Sequence, residues 1–264
     1  PYSLAVREQA GLSVDDAAAT ISAVCLTGWY EAQWYNDAFA DVLPDVTISP
    51  GDIDEAVQFL LTYGKDPDVL PDVDAVRERC LAKDDWVRGH PYTSETWPGL
   101  RTMPGLEPAE LARLEGLVRR ATGAPKLWVQ RAPGGGTLNH NCVQVVGEGE
   151  SEPRPHTDSR ALCRYAAVLY LNPAVPKDCG TSFYRQSMPG GRLGGNVVQA
   201  PHNNLVEALG TRFVAPDAFE EDVRVPHKYN RLLLYNANLV HSATGYSGGT
   251  LAEKRMTVVF FWMA

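Results

Sequence analysis

The sequence predicts a mainly β protein, an antiparallel sandwich, jelly roll or barrel, carrying a helical N-terminal region. Three observations predict it. Segments before residue 125 have helical spacing with recognisable caps, and segments after it are short strand-like runs broken by Gly, Pro and Asn. Almost nothing helical separates those runs. The expected division is residues 1–124 as a helical region packing on the core, a candidate lid or dimerisation surface, and residues 125–264 as the core itself.

Taken in order, SVDDAAATISAVC opens on Ser13 as an N-cap, and DIDEAVQFLLTY places Asp52 in the same role. DVDAVRERCLAKDDW is the third helical segment. EPAELARLEGLVRRATG is the fourth, with acids in its first turn, Arg119 and Arg120 in its last, and Gly123 as a stop. Between these two, GHPYTSETWPGLRTMPGLEP reads as a long connection. The predicted strands are KLWVQRA, TLNHNCVQVVG, LCRYAAVLYLN, TSFYRQ, EDVRV, NRLLLYNANLVH and RMTVVFFWMA.

Composition narrows the function. The 264 residues are 44% hydrophobic and 21% charged, as in soluble globular proteins. A net charge of −8, no Lys/Arg cluster and an acidic N-terminal third argue against a nucleic-acid partner. No run approaches the ~18 apolar residues of a membrane span, so no membrane partner is expected. PYSLAVREQAG has no basic start followed by an apolar stretch, and no signal peptide is expected from it. Cys25, Cys80, Cys142, Cys163 and Cys179 form no C-x-x-C and no zinc spacing. They read as reduced thiols, which points to a cytoplasmic protein.

The chemistry concentrates in three places. In PRPHTDSRALCRYAAVLYLN, His156 and Asp158 are two residues apart and project to one side of an extended backbone. Alone they read equally as a polar turn in which Asp158 caps local N–H groups. His241 ends NRLLLYNANLVH, and alone it reads as a core histidine. Arg255 opens the apolar run RMTVVFFW, with Thr257 on the same side. A buried guanidinium needs an anion, and a guanidinium beside a hydroxyl is a carboxylate receptor; the alternative is pairing with Glu253. Two imidazoles and one carboxylate on one face are what non-haem Fe(II) takes, with positions left open.

As an ordered set, PHTD, LVHSATG and KRMT resemble the signature of the Fe(II)/2-oxoglutarate-dependent oxygenases: His-x-Asp, a distal His, then Arg-x-Ser/Thr. DCGTSFYR resembles the strand that follows in the prolyl-hydroxylase-like branch. The resemblance covers roughly residues 125 to 264 and implies a double-stranded β-helix (jelly-roll) core. It implies Fe(II) held by His156, Asp158 and His241, and 2-oxoglutarate held by Arg255 with Thr257 and Tyr170. It also implies O2 as co-substrate, and an enzyme that hydroxylates an unactivated C–H bond while releasing succinate and CO2. Asp158 stands where related halogenases have a small residue, which favours hydroxylation, desaturation or ring closure. Phe261 stands where the nucleobase-demethylating branch carries a second Arg.

For the substrate, Gln144 shares strand parity with residues 142 and 146 and is a candidate contact. Arg154 is a second, suited to a substrate carboxylate if the strand reaches it and a solvated loop residue otherwise. Asn139, His140, Arg185 and Asn236 are polar strand residues that either reach a substrate or line the surface. TGWYEAQWYNDAF reads as packing rather than a ligand box. The expected substrate is a small molecule, such as an amino acid or natural-product intermediate, with a peptide or protein side chain as the alternative. The rivals are an iron oxygenase independent of 2-oxoglutarate, a zinc hydrolase, and a non-catalytic jelly-roll binding module.

Overall fold

The computed structural model describes residues 48–49, 69–88, 98–131, 139–176, 178–215 and 217–264. The helices expected from SVDDAAATISAVC and DIDEAVQFLLTY, and the stretch TGWYEAQWYNDAF, lie outside them.

The other two expected helices are present. Helix α1 spans Val73–Leu81, and the Asp72 carboxylate accepts from the Ala75 N–H at 3.0 Å. Helix α2 spans Pro108–Thr122, with Pro108 where a missing N–H costs nothing. The Glu110 carboxylate reaches back to the Glu107 N–H at 2.8 Å. Gly123 ends α2 in the left-handed region, φ 67°.

Twelve strands are described: β1 (Ile48–Ser49), β2 (Val87–Arg88), β3 (Leu100–Thr102), β4 (Cys142–Val146), β5 (Tyr165–Tyr170), β6 (Thr181–Met188), β7 (Arg192–Leu193), β8 (Val197–Val198), β9 (Phe219–Val225), β10 (Leu232–Asn236), β11 (His241–Ala243) and β12 (Arg255–Trp262). A short helix α3 spans Leu205–Leu209. One antiparallel sheet has the order β10-β5-β12-β4-β3-β2. In the second, β6 pairs with β11, β7 and β9, and His156 bridges to β11 through His241. From β4 onward the chain moves back and forth between them. It visits β4 in the first, His156 in the second, β5, then β6 and β9, then β10, β11 and β12. That alternation is the jelly-roll arrangement.

The first sheet is covered on both faces, which is why RYAAVLYLN is apolar nearly throughout and all six residues of β5 are buried. Tyr165, Ala167 and Leu169 face the helices in a cluster with Val76, Cys80, Leu114, Val118, Met256, Val258 and Phe260. Ala166, Val168 and Tyr170 face the second sheet in a cluster with Phe183, Val225, Leu233 and Tyr235. Leu114 is fully buried in the helix-side cluster. Leu114→Ala is expected to lower unfolding stability by about 3 kcal/mol, read as a fall in the urea midpoint.

Three sequence expectations are corrected. Among the described residues KLWVQRA forms no strand, and Trp128 bridges to Met263. β5 takes one side of β12 to its end and β4 takes the other as far as Val259, so only the end of that edge is open to it, and Trp128 stays 41% exposed. The supposed connection before α2 contains β3, which pairs with the other edge of β4. NRLLLYNANLVH is two strands rather than one. Its chain turns after β10, where the Leu239 N–H donates to the Asn236 carbonyl at 3.1 Å, and His241 starts β11 on the opposite sheet. Among the described residues no helix is long and apolar enough to cross a membrane.

Candidate metal centre and carboxylate receptor

The turn after β10 brings His241 to His156. The two exchange both backbone hydrogen bonds, His156 N–H to His241 carbonyl at 2.9 Å and the reverse at 2.8 Å. Directly opposed residues of this kind project to the same side, and their rings lie 4.4 Å apart. The Asp158 N–H donates to the Ala237 carbonyl at 2.9 Å, which pins the carboxylate beside them. Thr157, between the two, points away, and its hydroxyl accepts from the Leu205 N–H at 2.9 Å. The alternation of extended backbone thus gives His156 and Asp158 to the site and Thr157 to the packing.

Each imidazole is oriented by its own chain. Nδ1 of His156 donates to the Arg154 carbonyl at 2.9 Å, and Nδ1 of His241 to the Leu239 carbonyl at 2.8 Å. Those bonds put the proton on Nδ1 and leave the Nε2 lone pairs for a ligand. Burial pushes the His241 imidazolium down to about 4, and burial together with neighbouring His241 lowers His156, so both rings are neutral near pH 7. Burial raises Asp158 to about 6. Its Oδ2 is buried without a hydrogen-bond partner, 3.7 Å from His241 Nε2.

One donor atom from each of the three residues lies within 4.8 Å of the others. Two neutral nitrogens do not neutralise a carboxylate, and an orphaned buried oxygen is costly. A divalent cation satisfies all three donors together, and two imidazoles with one carboxylate suit a first-row metal such as Fe(II). The residues present fit the metal.

Arg255 is buried, yet among the described residues no carboxylate pairs with it. Its Nε donates to the Cys179 carbonyl at 2.8 Å and an Nη to the Gly180 carbonyl at 3.1 Å. Its guanidinium carbon lies 5.5 Å from the centre of the Tyr170 ring. Glu253, the alternative partner, instead accepts from the Thr250 N–H at 3.2 Å. Thr257 is fully buried and its hydroxyl has no hydrogen-bond partner. A buried cation held by neutral carbonyls beside an unmet hydroxyl is unfavourable unless an anion meets it. Tyr170 donates or accepts at Thr181 Oγ1, 2.8 Å away, and buttresses this end.

Gly180 lets that anchor form. A Cβ there would run into the Val225 carbonyl oxygen and the backbone of Pro226 and His227. Gly180→Ala is expected to cost about 2 kcal/mol or more of stability, checked by thermal or denaturant unfolding.

Gln144 is the register partner of Thr257, which is in turn the partner of Tyr170, so the three form one row across the sheet. Gln144 donates to the Pro98 carbonyl at 3.3 Å. The Arg154 side chain is exposed, and its carbonyl orients His156. His140 packs on the helix side, against Phe260 and Trp262, with Nδ1 bound to the Phe261 backbone. Arg185 pairs with Asp222 at 3.0 Å; Asn139 and Asn236 are half-buried.

Two residues escaped the sequence reading. Tyr235 lies in the inner cluster with its hydroxyl 3.1 Å from His241 Nε2. Arg101, buried on β3, is the register partner of Gln144 and extends the row that contains Thr257. Inward strand parity within NRLLLYNANLVH pointed to Tyr235 once the face of Leu233 was known. Nothing local pointed to Arg101, which sat in a segment read as a loop.

Fold and site together define a jelly-roll protein with a two-histidine, one-carboxylate candidate metal centre on its interior. Residues 68–257 match DUF6445, a family of unknown function, and the chain belongs to that family. No curated protein matches the sequence. Similar solved structures include the non-haem α-ketoglutarate-dependent epimerase SnoN from nogalamycin biosynthesis, at 21% identity and TM-score 0.42, covering 75% of this chain and 76% of that one. AviO1 from Streptomyces viridochromogenes Tue57 is similar at 16% identity and TM-score 0.44, covering 75% and 85%. A Pseudomonas putida prolyl-4-hydroxylase is similar at 15% identity and TM-score 0.38, covering 87% and 100%.

Proposed function

We propose that the chain is a non-haem Fe(II)/2-oxoglutarate-dependent oxygenase that hydroxylates an unactivated C–H bond of a small molecule, such as an amino acid or natural-product intermediate. The observation that carries the reading is the pairing of two unmet requirements on one interior. Asp158 and two neutral imidazoles call for a cation, and Arg255 with Thr257 calls for a carboxylate. Tyr170 beneath Arg255 and Tyr235 against His241 belong to one buried cluster, so the two requirements face the same space. A diacid that chelates the metal at one end and reaches a guanidinium at the other meets both.

In this reading His156, Asp158 and His241 hold the iron, and Arg255 and Thr257 receive the distal carboxylate of 2-oxoglutarate. When bound, the iron would supply the oxidising chemistry, in which one oxygen atom of dioxygen goes into the succinate formed with CO2 from 2-oxoglutarate and the other into the substrate C–H bond. The chain's own contribution is orientation and exclusion of water. The Arg154 and Leu239 carbonyls hold both rings in the ligating tautomer. The Cys179 and Gly180 carbonyls fix the guanidinium so that it meets the co-substrate in one orientation. The apolar walls, Val168, Phe183, Val259 and Phe261, keep the interior dry, which strengthens both charge interactions. The partner proposed is a small molecule in the cytoplasm. With a net charge of −8 and no basic cluster, nucleic acid is the poorer candidate.

The test is anaerobic addition of 2-oxoglutarate to the iron-loaded protein, followed by a succinate assay in air across amino acids and related metabolites. A visible charge-transfer band and substrate-stimulated succinate are expected. Iron uptake with neither band nor succinate would instead mark an oxygenase whose Arg255 receives the substrate's own carboxylate. Absence of iron uptake would leave a binding module.

A further inference from the structure

We propose that the Tyr235 hydroxyl is a hydrogen-bond donor to the small exogenous ligand that shares the metal with His241; the inference rests on the iron-centre reading above. Tyr235 is a positioning residue of that centre rather than a ligand.

The case begins with a conflict over one lone pair. The Tyr235 hydroxyl lies 3.1 Å from His241 Nε2, its one hydrogen-bond contact among the described residues. Nδ1 of His241 already donates to the Leu239 carbonyl, so Nε2 is the ring's acceptor and the phenol is the donor. A cation held by the triad takes the same Nε2 lone pair. The phenol then loses its acceptor in a place where water does not replace it, since Tyr235 is 3% exposed and His241 5%. A buried donor left unmet is unfavourable. Asp158 Oδ2 is the unsatisfied oxygen of the site, but in this reading it too is claimed by the cation.

The phenol cannot easily swing elsewhere. Its ring is wedged edge-on against Phe183 at 5.2 Å and tilted against His241 at 4.6 Å. Its backbone is locked in the β10–β5 ladder opposite Ala166. Outside the three metal donors, the acceptor left to it is whatever binds the metal beside His241. A phenylalanine would fill the same volume without the desolvation of an O–H, so packing alone does not call for tyrosine here.

The test uses the full chain loaded anaerobically with Fe(II) and titrated with nitric oxide as the small ligand, comparing wild type with Tyr235→Phe. The substitution keeps both ring contacts and removes the hydroxyl alone. Equal iron content and melting temperature are expected, with roughly tenfold weaker nitric oxide binding and a changed rhombicity of the iron–nitrosyl EPR signal. Unchanged nitric oxide affinity and EPR signal in Tyr235→Phe would overturn the proposal while leaving the iron centre intact. Loss of iron from Tyr235→Phe would also overturn it, since the phenol would then be a ligand. A wild-type chain that takes up no iron would remove the centre itself, and this inference with it.

Discussion

His241→Ala is expected to abolish iron-dependent turnover and to leave the protein folded. Losing the partner that merely orients a ligand costs 10- to 100-fold in metal affinity, so losing the ligand itself should cost more than about 100-fold. The fold should survive because β11 is held by backbone bonds to β6 and to His156 that an alanine preserves. Asp158→Ala and His156→Ala should behave alike, since each removes one of three donors. Asp158→Ala has a second consequence: it removes a buried carboxyl with an orphaned oxygen, so the metal-free variant should be no less stable than the metal-free wild type. Bound iron by elemental analysis, succinate release and thermal melts check these outcomes together. Full turnover in any one of the three variants would refute the centre.

Arg255→Ala has the next largest expected effect. Truncating one side of a buried charged pair costs about 2–5 kcal/mol, which is roughly 30- to several-thousand-fold in affinity. The 2-oxoglutarate requirement for succinate release should rise accordingly, while iron content stays at the wild-type level. Arg255→Lys keeps the charge but gives up the planar fork that the Cys179 and Gly180 carbonyls hold. It should fall between the two. An unchanged 2-oxoglutarate requirement in Arg255→Ala would place the receptor elsewhere, and the buried Arg101 on the same sheet would be the next residue to vary.

Much of this was legible before any coordinates. β4, β5, β6, β9 and β12 fall where alternating or continuous apolar runs lie between Gly, Pro and Asn clusters, because a strand must bury one or both faces. α1 and α2 announce themselves by caps, because the first N–H groups of a helix need an acceptor. KLWVQRA failed for a reason no local pattern carries: a strand needs a free edge, and β4 leaves only the end of β12 open, where Trp128 bridges to Met263. β3 is the converse case, three residues that become a strand only because β4 has an open side. The segment around His241 misled because its apolar character runs unbroken across a turn that changes sheets.

The sequence by itself determined which donor groups this protein owns and the order in which the chain presents them: His156 and Asp158 two apart, then His241, then Arg255 and Thr257. Only the tertiary structure decided that these groups are needy ones. Burial strips water from Asp158 Oδ2 and Thr257 Oγ1, backbone carbonyls choose the imidazole tautomers, and the turn that carries the chain from β10 to the opposite sheet sets Tyr235 against His241. The physical reason is that hydration is a property of a residue's surroundings, and the groups that bury these donors come from segments far apart in the chain that no local spacing encodes.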